Sequence, residues 1–186
     1  KYFEEGDLSA EDLSKALRLA IDKLDLYPIL CTNAKDDMGV ARLLEFIVDN
    51  VPAPNQVSNC PKTTAGDDIK FDAAAPTLLF AFKTANEQHL GEVTYLKVMN
   101  GEVTESLDLI NANTQGKERL SQILVCAGKN RQKVEKAVAG DIFCTIKLKD
   151  VKTNQSLASA KNSDQQVTPI EFPKPIYTVA VKAANS

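Results

Sequence analysis

Leu78-Leu79-Phe80-Ala81-Phe82-Lys83 and Val93-Thr94-Tyr95-Leu96-Lys97-Val98 are the stretches that decide the fold. Leu78, Phe80 and Phe82 alternate with Leu79, Ala81 and Lys83, and Val93, Tyr95 and Lys97 alternate with Thr94, Leu96 and Val98, the two-residue period of half-buried strands. Downstream, Ile142, Cys144, Ile146 and Leu148 mark the longest one-sided strand. Turn chemistry separates the runs at Asn100-Gly101, Gln115-Gly116, Ala139-Gly140-Asp141 and Thr153-Asn154. Many short strands with regular turns predict a small closed antiparallel barrel, because closure removes the edges that an open sheet must protect.

Upstream of these strands the period is helical. Ser9-Ala10-Glu11-Asp12 resembles a capping box with Asp in the usual Glu place, and Leu13, Leu17, Ala20, Ile21 and Leu24 follow at three- and four-residue steps. Leu26-Tyr27-Pro28-Ile29-Leu30-Cys31 then reads as a short buried strand ending in the polar loop 32–37. Val40, Leu43, Leu44, Ile47 and Val51 form the stripe of a second helix, which Pro52 and Pro54 end because proline has no N–H for the ladder. A helix, a strand and a helix cannot close a core, since a single strand leaves both edges and its apolar faces uncovered. This part is therefore expected to belong to a larger α/β domain, with the Pro-, Asn-, Ser-, Thr- and Asp-rich residues 52–72 as a connector.

Composition narrows the function classes. The 186 residues carry a formal net charge of −3, unevenly spread: residues 1–50 hold six basic and eleven acidic side chains, −5 net, leaving +2 for the rest. The second part is thus the one suited to approach a polyanion. No run of ~18 apolar residues exists to span a bilayer and no secretory leader is recognisable, so no membrane partner and a cytoplasmic location are expected. Lys1 and Ser186 read as the limits of an internal piece of a longer protein. Cys31, Cys60, Cys126 and Cys144 include no CxxC pair, and His89 is the single histidine, which argues against a metal site. Three of the four cysteines lie in apolar runs and are expected to pack as buried thiols. The pairs Asp36-Asp37 and Asp67-Asp68 lack the further oxygen ligands of a calcium loop, and neither they nor His89 are assigned chemistry. Phe80, Phe82 and Tyr95 read as core side chains rather than base-stacking platforms.

The order of elements resembles the translation elongation factor G family. Lys1-Tyr2-Phe3-Glu4-Glu5-Gly6 with Leu8-Ser9-Ala10-Glu11-Asp12-Leu13 and Ala16-Leu17-Arg18 is similar to the region before the last strand of that family's GTPase domain. Tyr27-Pro28-Ile29-Leu30-Cys31-Thr32-Asn33-Ala34, Gly39-Val40, Leu43-Leu44 and Val48-Asp49-Asn50-Val51-Pro52-Ala53-Pro54 resemble its final strand, guanine loop, closing helix and proline-containing exit. Ala81-Phe82-Lys83, Gly91 to Val98, Asn100-Gly101, Val138-Ala139-Gly140-Asp141-Ile142 and Leu148-Lys149 look like landmarks of its second domain, and Glu171-Phe172-Pro173-Lys174-Pro175-Ile176 like the crossing into the third.

The resemblance implies an α/β fragment, the helix-strand-helix end of a P-loop GTPase domain, followed by an all-β, elongation-factor-type antiparallel β-barrel. The implied domains are 1–54 (end of the GTPase domain), 55–72 (linker), 73–172 (barrel) and 173–186 (start of a third domain). In such a parent, GTP and Mg2+ are the cofactors, and the barrel docks on the ribosome, on small-subunit ribosomal RNA and proteins, while GTP state is coupled to movement of tRNA and mRNA. The remaining domains of the parent are further partners. This segment has no Gly-x4-Gly-Lys-Ser/Thr stretch, so by itself it is expected to hold no cofactor, to contain no catalytic residue and to be inactive as a GTPase. Thr32, Asn33 and Ala34 align with the guanine loop, where the family usually carries Gly-Ser-Ala and offers backbone N–H groups; Asn33 departs from that pattern and could equally brace a plain polar turn. Lys117, Arg119, Lys129, Arg131, Lys133 and Lys136, with only Glu118 and Glu135 among them, are the RNA-binding candidates, against the alternative of a solvated face or a domain interface. Lys147, Lys149 and Lys152 form a weaker second cluster. Two other readings stay open: a ribosomal-protection, release or recycling GTPase of the same superfamily, and a free-standing barrel that binds oligonucleotides or sugars.

Overall fold

Ser9 starts the first helix, α1 (Ala10–Asp22): its Oγ accepts the Asp12 amide at 3.2 Å and its hydroxyl donates to the Asp12 carboxylate at 2.7 Å. The computed structural model describes residues 6–7, 9–88, 90–128 and 130–182; the readings at residues 1–5, Leu8, His89, Lys129 and beyond 182 lie outside these. The second helix, α2 (Val40–Asn50), begins after Gly39, whose φ of +77° suits a residue without a side chain. It stops at Val51, before Pro52, and Asn50 donates its side-chain amide back to the Phe46 carbonyl at 3.1 Å.

Both apolar stripes are present and only partly covered: the two helices touch, and Leu17, Ala20, Ile21, Val40, Leu43 and Phe46 are half-buried. Asn50 is the only buried side chain among the described residues up to position 50, and Leu13, Leu19, Leu44, Ile47 and Val48 all face outward. The strand expected over 26–31 is not formed. That segment has no strand partner, and Tyr27 and Ile29 are 73% and 93% exposed. A strand exists only as part of a ladder, and the described residues supply no neighbour to this one. The segment after Pro173, expected to start a further strand, is likewise unpaired as far as residue 182, with Ile176, Tyr177 and Val181 exposed.

Residues 78–158 carry the all-β part. Its strands are β1 (Leu78–Glu87), β2 (Gly91–Asn100), β3 (Glu102–Thr104), β4 (Asp108–Asn111), β5 (Lys117–Arg119), β6 (Ile123–Ala127), β7 (Asn130–Val134), β8 (Lys136–Val138), β9 (Ile142–Ile146) and β10 (Gln155–Ala158). All pairings between them are antiparallel, in an eight-stranded sheet ordered β5-β4-β10-β1-β2-β9-β6-β7 and a separate β3-β8 pair. The arrangement is barrel-like, but its hydrogen-bond ladder does not close, which corrects the expectation of a closed barrel. Open ends are tolerable here because they are short and charged: β5 is Lys-Glu-Arg, and β7 runs Asn-Arg-Gln-Lys-Val.

Alternation in β1 gives two covered faces rather than one. Leu79 and Ala81 enter an inner core with Leu96, Val98, Leu109 and Phe143, whereas Leu78 and Phe80 enter a second cluster with Ile69, Phe71, Met99 and Val167. Much of the stretch expected as a linker is thereby bound to the sheet. Thr63 bridges to Val167, Lys62 pairs with Asp68 at 2.6 Å, and the Lys97 ammonium lies 4.9 Å from the centre of the Phe71 ring. A register shift between Ala81 and Lys83 leaves Phe82 as the extra residue of a bulge, tilted against Tyr95 at 6.4 Å between ring centres.

The β2–β3 corner depends on Gly101. Its φ is +77°, and a Cβ there would stand 2.7 Å from the Thr77 Cα and 2.8 Å from the Ala75 carbonyl oxygen, both backbone atoms. Gly101→Ala is expected to destabilise the sheet by about 3 kcal/mol, combining backbone strain with an overlap that no rotamer relieves. Urea denaturation of the two proteins checks this, and an unchanged midpoint would contradict the close approach.

Candidate functional site

Loop 32–39 connects the unpaired segment to α2. The Asn33 amide donates to the Met38 carbonyl at 2.9 Å and the Met38 amide returns a bond to Asn33 O at 3.0 Å, which closes the loop at its neck. Within it, Asn33 Oδ1 accepts the amides of Lys35 at 3.1 Å and Asp36 at 3.3 Å, and Asn33 Nδ2 donates to the Asp36 carboxylate at 2.8 Å. The departure from serine thus leaves a braced loop, with the longer amide side chain spanning the turn. The neighbouring Ala34 amide donates to no acceptor among the described residues.

The cations that cluster in sequence are spread over three strands. Lys117 and Arg119 lie on β5 and Arg131 and Lys133 on β7, at opposite ends of the ladder, while Lys136 lies on β8. Carboxylates accompany most of them: Arg119 with Asp108 at 3.8 Å, Lys133 with Glu105 at 2.8 Å, Lys136 with Glu102, and Arg131 with both oxygens of Glu87. Lys117 alone of the five described candidates has no ion pair among the described residues. The exposed pairs exchange partners cheaply, whereas Arg131 and Glu87 are each about three-quarters buried, with Arg131 Nη2 donating to both carboxylate oxygens.

One grouping emerged that sequence proximity did not show. Lys117 and Arg119 line an open groove of about 440 Å³ together with Lys149 from the second, weaker cluster. Glu118, between the two β5 cations, is buried and accepts the amides of Lys149 at 2.9 Å and Asp150 at 3.1 Å, and so holds that turn against β5. The signal available in the sequence was the alternation Lys-Glu-Arg, which turns Glu118 to the opposite face from its neighbours.

A polar tie joins the helical part to the connector. Asp22, at the end of α1, accepts the Ser58 amide at 2.9 Å and the Ser58 hydroxyl, and these two bonds hold its carboxyl below the ordinary value of 3.8. Of the three cysteines expected to be buried, Cys144 alone is, while Cys31 and Cys126 are exposed; Cys60, in the connector, is half-buried. No group of His, Cys, Asp and Glu suited to a metal ion occurs among the described residues, and no helix there is long and apolar enough to cross a membrane.

Fold and site together define an antiparallel β-barrel-like module entered from a helical segment through a packed connector. Residues 76–160 match the family model described as elongation factor G domain 2. The chain is 32% identical to elongation factor G of Orientia tsutsugamushi (strain Ikeda) over 185 residues, covering 97% of this chain and 26% of that protein. It is 33% identical to elongation factor G 1 of Bdellovibrio bacteriovorus over 193 residues, covering 100% and 27% respectively. A crystal structure of a Thermus thermophilus protein superposes with a TM-score of 0.70 at 25% identity, over 94% of this chain and 24% of that one. Over nearly its whole length the chain is similar to elongation factor G proteins, and it spans about a quarter of the length of the curated relatives it matches.

Two outcomes follow from the geometry. Asn33→Ala removes the acceptor for two amides, so Lys35 and Asp36 should exchange their amide hydrogens roughly tenfold faster, the kinetic equivalent of about 1.4 kcal/mol of local opening. Unchanged exchange would show that the turn holds without the side chain. Asp22 has a lowered folded-state pKa, so its tie to Ser58 is complete above the ordinary carboxylate range and is lost as pH falls through the folded value. The Ser58 amide resonance should titrate with a midpoint below 3.8, and Asp22→Asn should abolish that titration; a midpoint at or above 3.8 would contradict the assignment.

Proposed function

We propose that this chain is the junction of an elongation factor G-like translational GTPase: the end of its GTPase domain at 1–54, a connector at 55–72 seated largely on the barrel, the second-domain barrel at 73–172, and the entry to a third domain from 173. In this reading the barrel docks on small-subunit ribosomal RNA and proteins in the cytoplasm. The docked barrel couples GTP state in the parent to movement of tRNA and mRNA. The observation that carries it is alignment with elongation factor G proteins over nearly the whole chain, helices, connector and sheet in one order. The partly covered stripes of α1 and α2 and the unpaired segment 26–31 support it, because a β-sheet of the parent's GTPase domain would complete their cover.

The unclaimed Ala34 amide suits a guanine-facing backbone donor, with Asn33 keeping the loop in shape. GTP and Mg2+ would be held in the parent chiefly by residues outside this segment, since no phosphate-cradling Gly-Lys-Ser/Thr motif occurs in it. Within the segment, Thr32, Asn33 and Ala34 would orient the base and nothing would move a proton or position a water. For RNA, Lys117 and Arg119, with Lys149 beside them, are the best placed cations, and Arg131 is the least, being committed to Glu87.

The test is sedimentation of the full-length protein with small ribosomal subunits over graded salt. Binding should weaken as salt rises, and Lys117→Ala with Arg119→Ala should reduce the slope of log affinity against log salt by about 1 per cation while the corresponding Arg131→Ala effect is on stability. Absence of subunit binding by the full-length protein would overturn the proposal.

A further inference from the structure

Cys126 and Cys144 sit 18 residues apart on β6 and β9, yet their sulfurs are 3.2 Å from each other, inside van der Waals contact. The sheet assembles charged and polar groups around them. Tyr95 of β2 is paired directly with Cys144, and Cys126 is paired directly with Arg131 of β7. The Arg131 guanidinium is fixed by both oxygens of Glu87, which also accepts the Tyr95 hydroxyl at 3.2 Å, and the Lys83 ammonium lies 5.2 Å from the centre of the Tyr95 ring. Neither Cys31 nor Cys60 has a second cysteine beside it among the described residues. Packing alone explains one small buried thiol at position 144, but it does not call for a second sulfur touching the first next to a fixed cation.

We propose that Cys126 and Cys144 are a redox modification site, a thiol pair that a hydroperoxide oxidises to a disulfide joining β6 to β9. Cys126 is exposed and is the point of entry. Its thiolate attacks the terminal oxygen of the hydroperoxide, the O–O bond breaks, and the other oxygen leaves protonated as water or an alcohol. Cys126 is thereby oxidised by two electrons to a sulfenic acid and the peroxide is reduced. The Cys144 sulfur then attacks the Cys126 sulfur, its proton joins the departing hydroxide, and water is released as the S–S bond forms. Burial, followed by the contact with Cys126, pushes the Cys144 thiol up to about 11, so it resolves the sulfenic acid at its side rather than meeting peroxide first. The consequence is mechanical: β6 and β9 share one paired position, Leu124 with Cys144, so the bond would add a covalent tie where the β6–β7 hairpin is least firmly joined to the sheet.

Treating the intact protein with hydrogen peroxide, alkylating the remaining thiols and mapping peptides by mass spectrometry tests this. A dithiothreitol-reversible cross-link between the Cys126 and Cys144 peptides is expected, and it should persist when Cys31 and Cys60 are both replaced by Ser. In Cys144→Ala the cross-link should vanish and a dimedone probe should label Cys126. In Cys126→Ser, a change at an exposed position, Cys144 should stay reduced at peroxide doses that cross-link the parent. Oxidation of Cys126 to a sulfinic acid without joining Cys144, or oxidation confined to Cys31 and Cys60, would overturn the proposal.

Discussion

Burial of Leu78 to Ala81 on both faces of β1 is the constraint on which the rest of the structure depends. A strand of this kind contributes apolar area twice, about 1.5–3 kcal/mol for each large side chain fully covered, and it needs a cover on each side to do so. The inner cover comes from the wrapped sheet, through Leu96, Val98, Phe143 and Leu157. The outer cover comes from the chain on either side of the sheet: Ile69 and Phe71 before it, and Val167 after it. Because β1 also pairs with both β2 and β10, its displacement would break two ladders and two cores together.

The helical part is joined on different terms. Its apolar stripes are only partly covered, and the link from α1 to the connector is the Asp22–Ser58 pair, beside a close approach of Pro54 to Gly140 in which a Cβ on the glycine would stand 3.0 Å from the proline ring. A large two-sided apolar core and a small polar tie differ in how much each resists displacement, since exposed polar contacts exchange with water at little cost. The chain therefore combines a sheet that sets its own shape with helices held to it by a small polar contact. That division places stiffness in the barrel and adjustability at its entrance.

Most strands were legible in the sequence because their period and turn residues are local properties, and Gly101 and Gly140 fall at the corners the turn chemistry indicated, but the run from Ile142 to Leu148 is not the longest one-sided strand: β9 stops at Ile146, exposes Ile142 and buries both faces after it. The second face of β1 was not legible, because its cover is drawn from irregular segments around Ile69, Phe71 and Val167 that have no period to read. Segment 26–31 has the composition of a buried strand and is neither buried nor a strand, since pairing is a property of two segments and composition of one. The same reason explains the cations: Lys117 to Lys136 is one basic stretch in the chain, but the sheet order sends β5 and β7 to opposite ends. Cys126 lies in an apolar run yet is exposed, because the outer half of β6 is covered only by the edge strand β7. The Asn33 brace was foreseeable from the ability of asparagine to bond amides two and three residues ahead.

This chain contains one self-sufficient core, centred on β1, and a helical entrance without a core of its own. Residue-resolved hydrogen exchange of the isolated 186-residue chain tests it most directly. The account predicts that the amides of Leu79 to Ala81 are among the slowest to exchange, opening only with the whole sheet, while those of Ile29 to Cys31 exchange at nearly the rate of an unstructured peptide. Protection of Ile29 to Cys31 equal to that of β1 would contradict it.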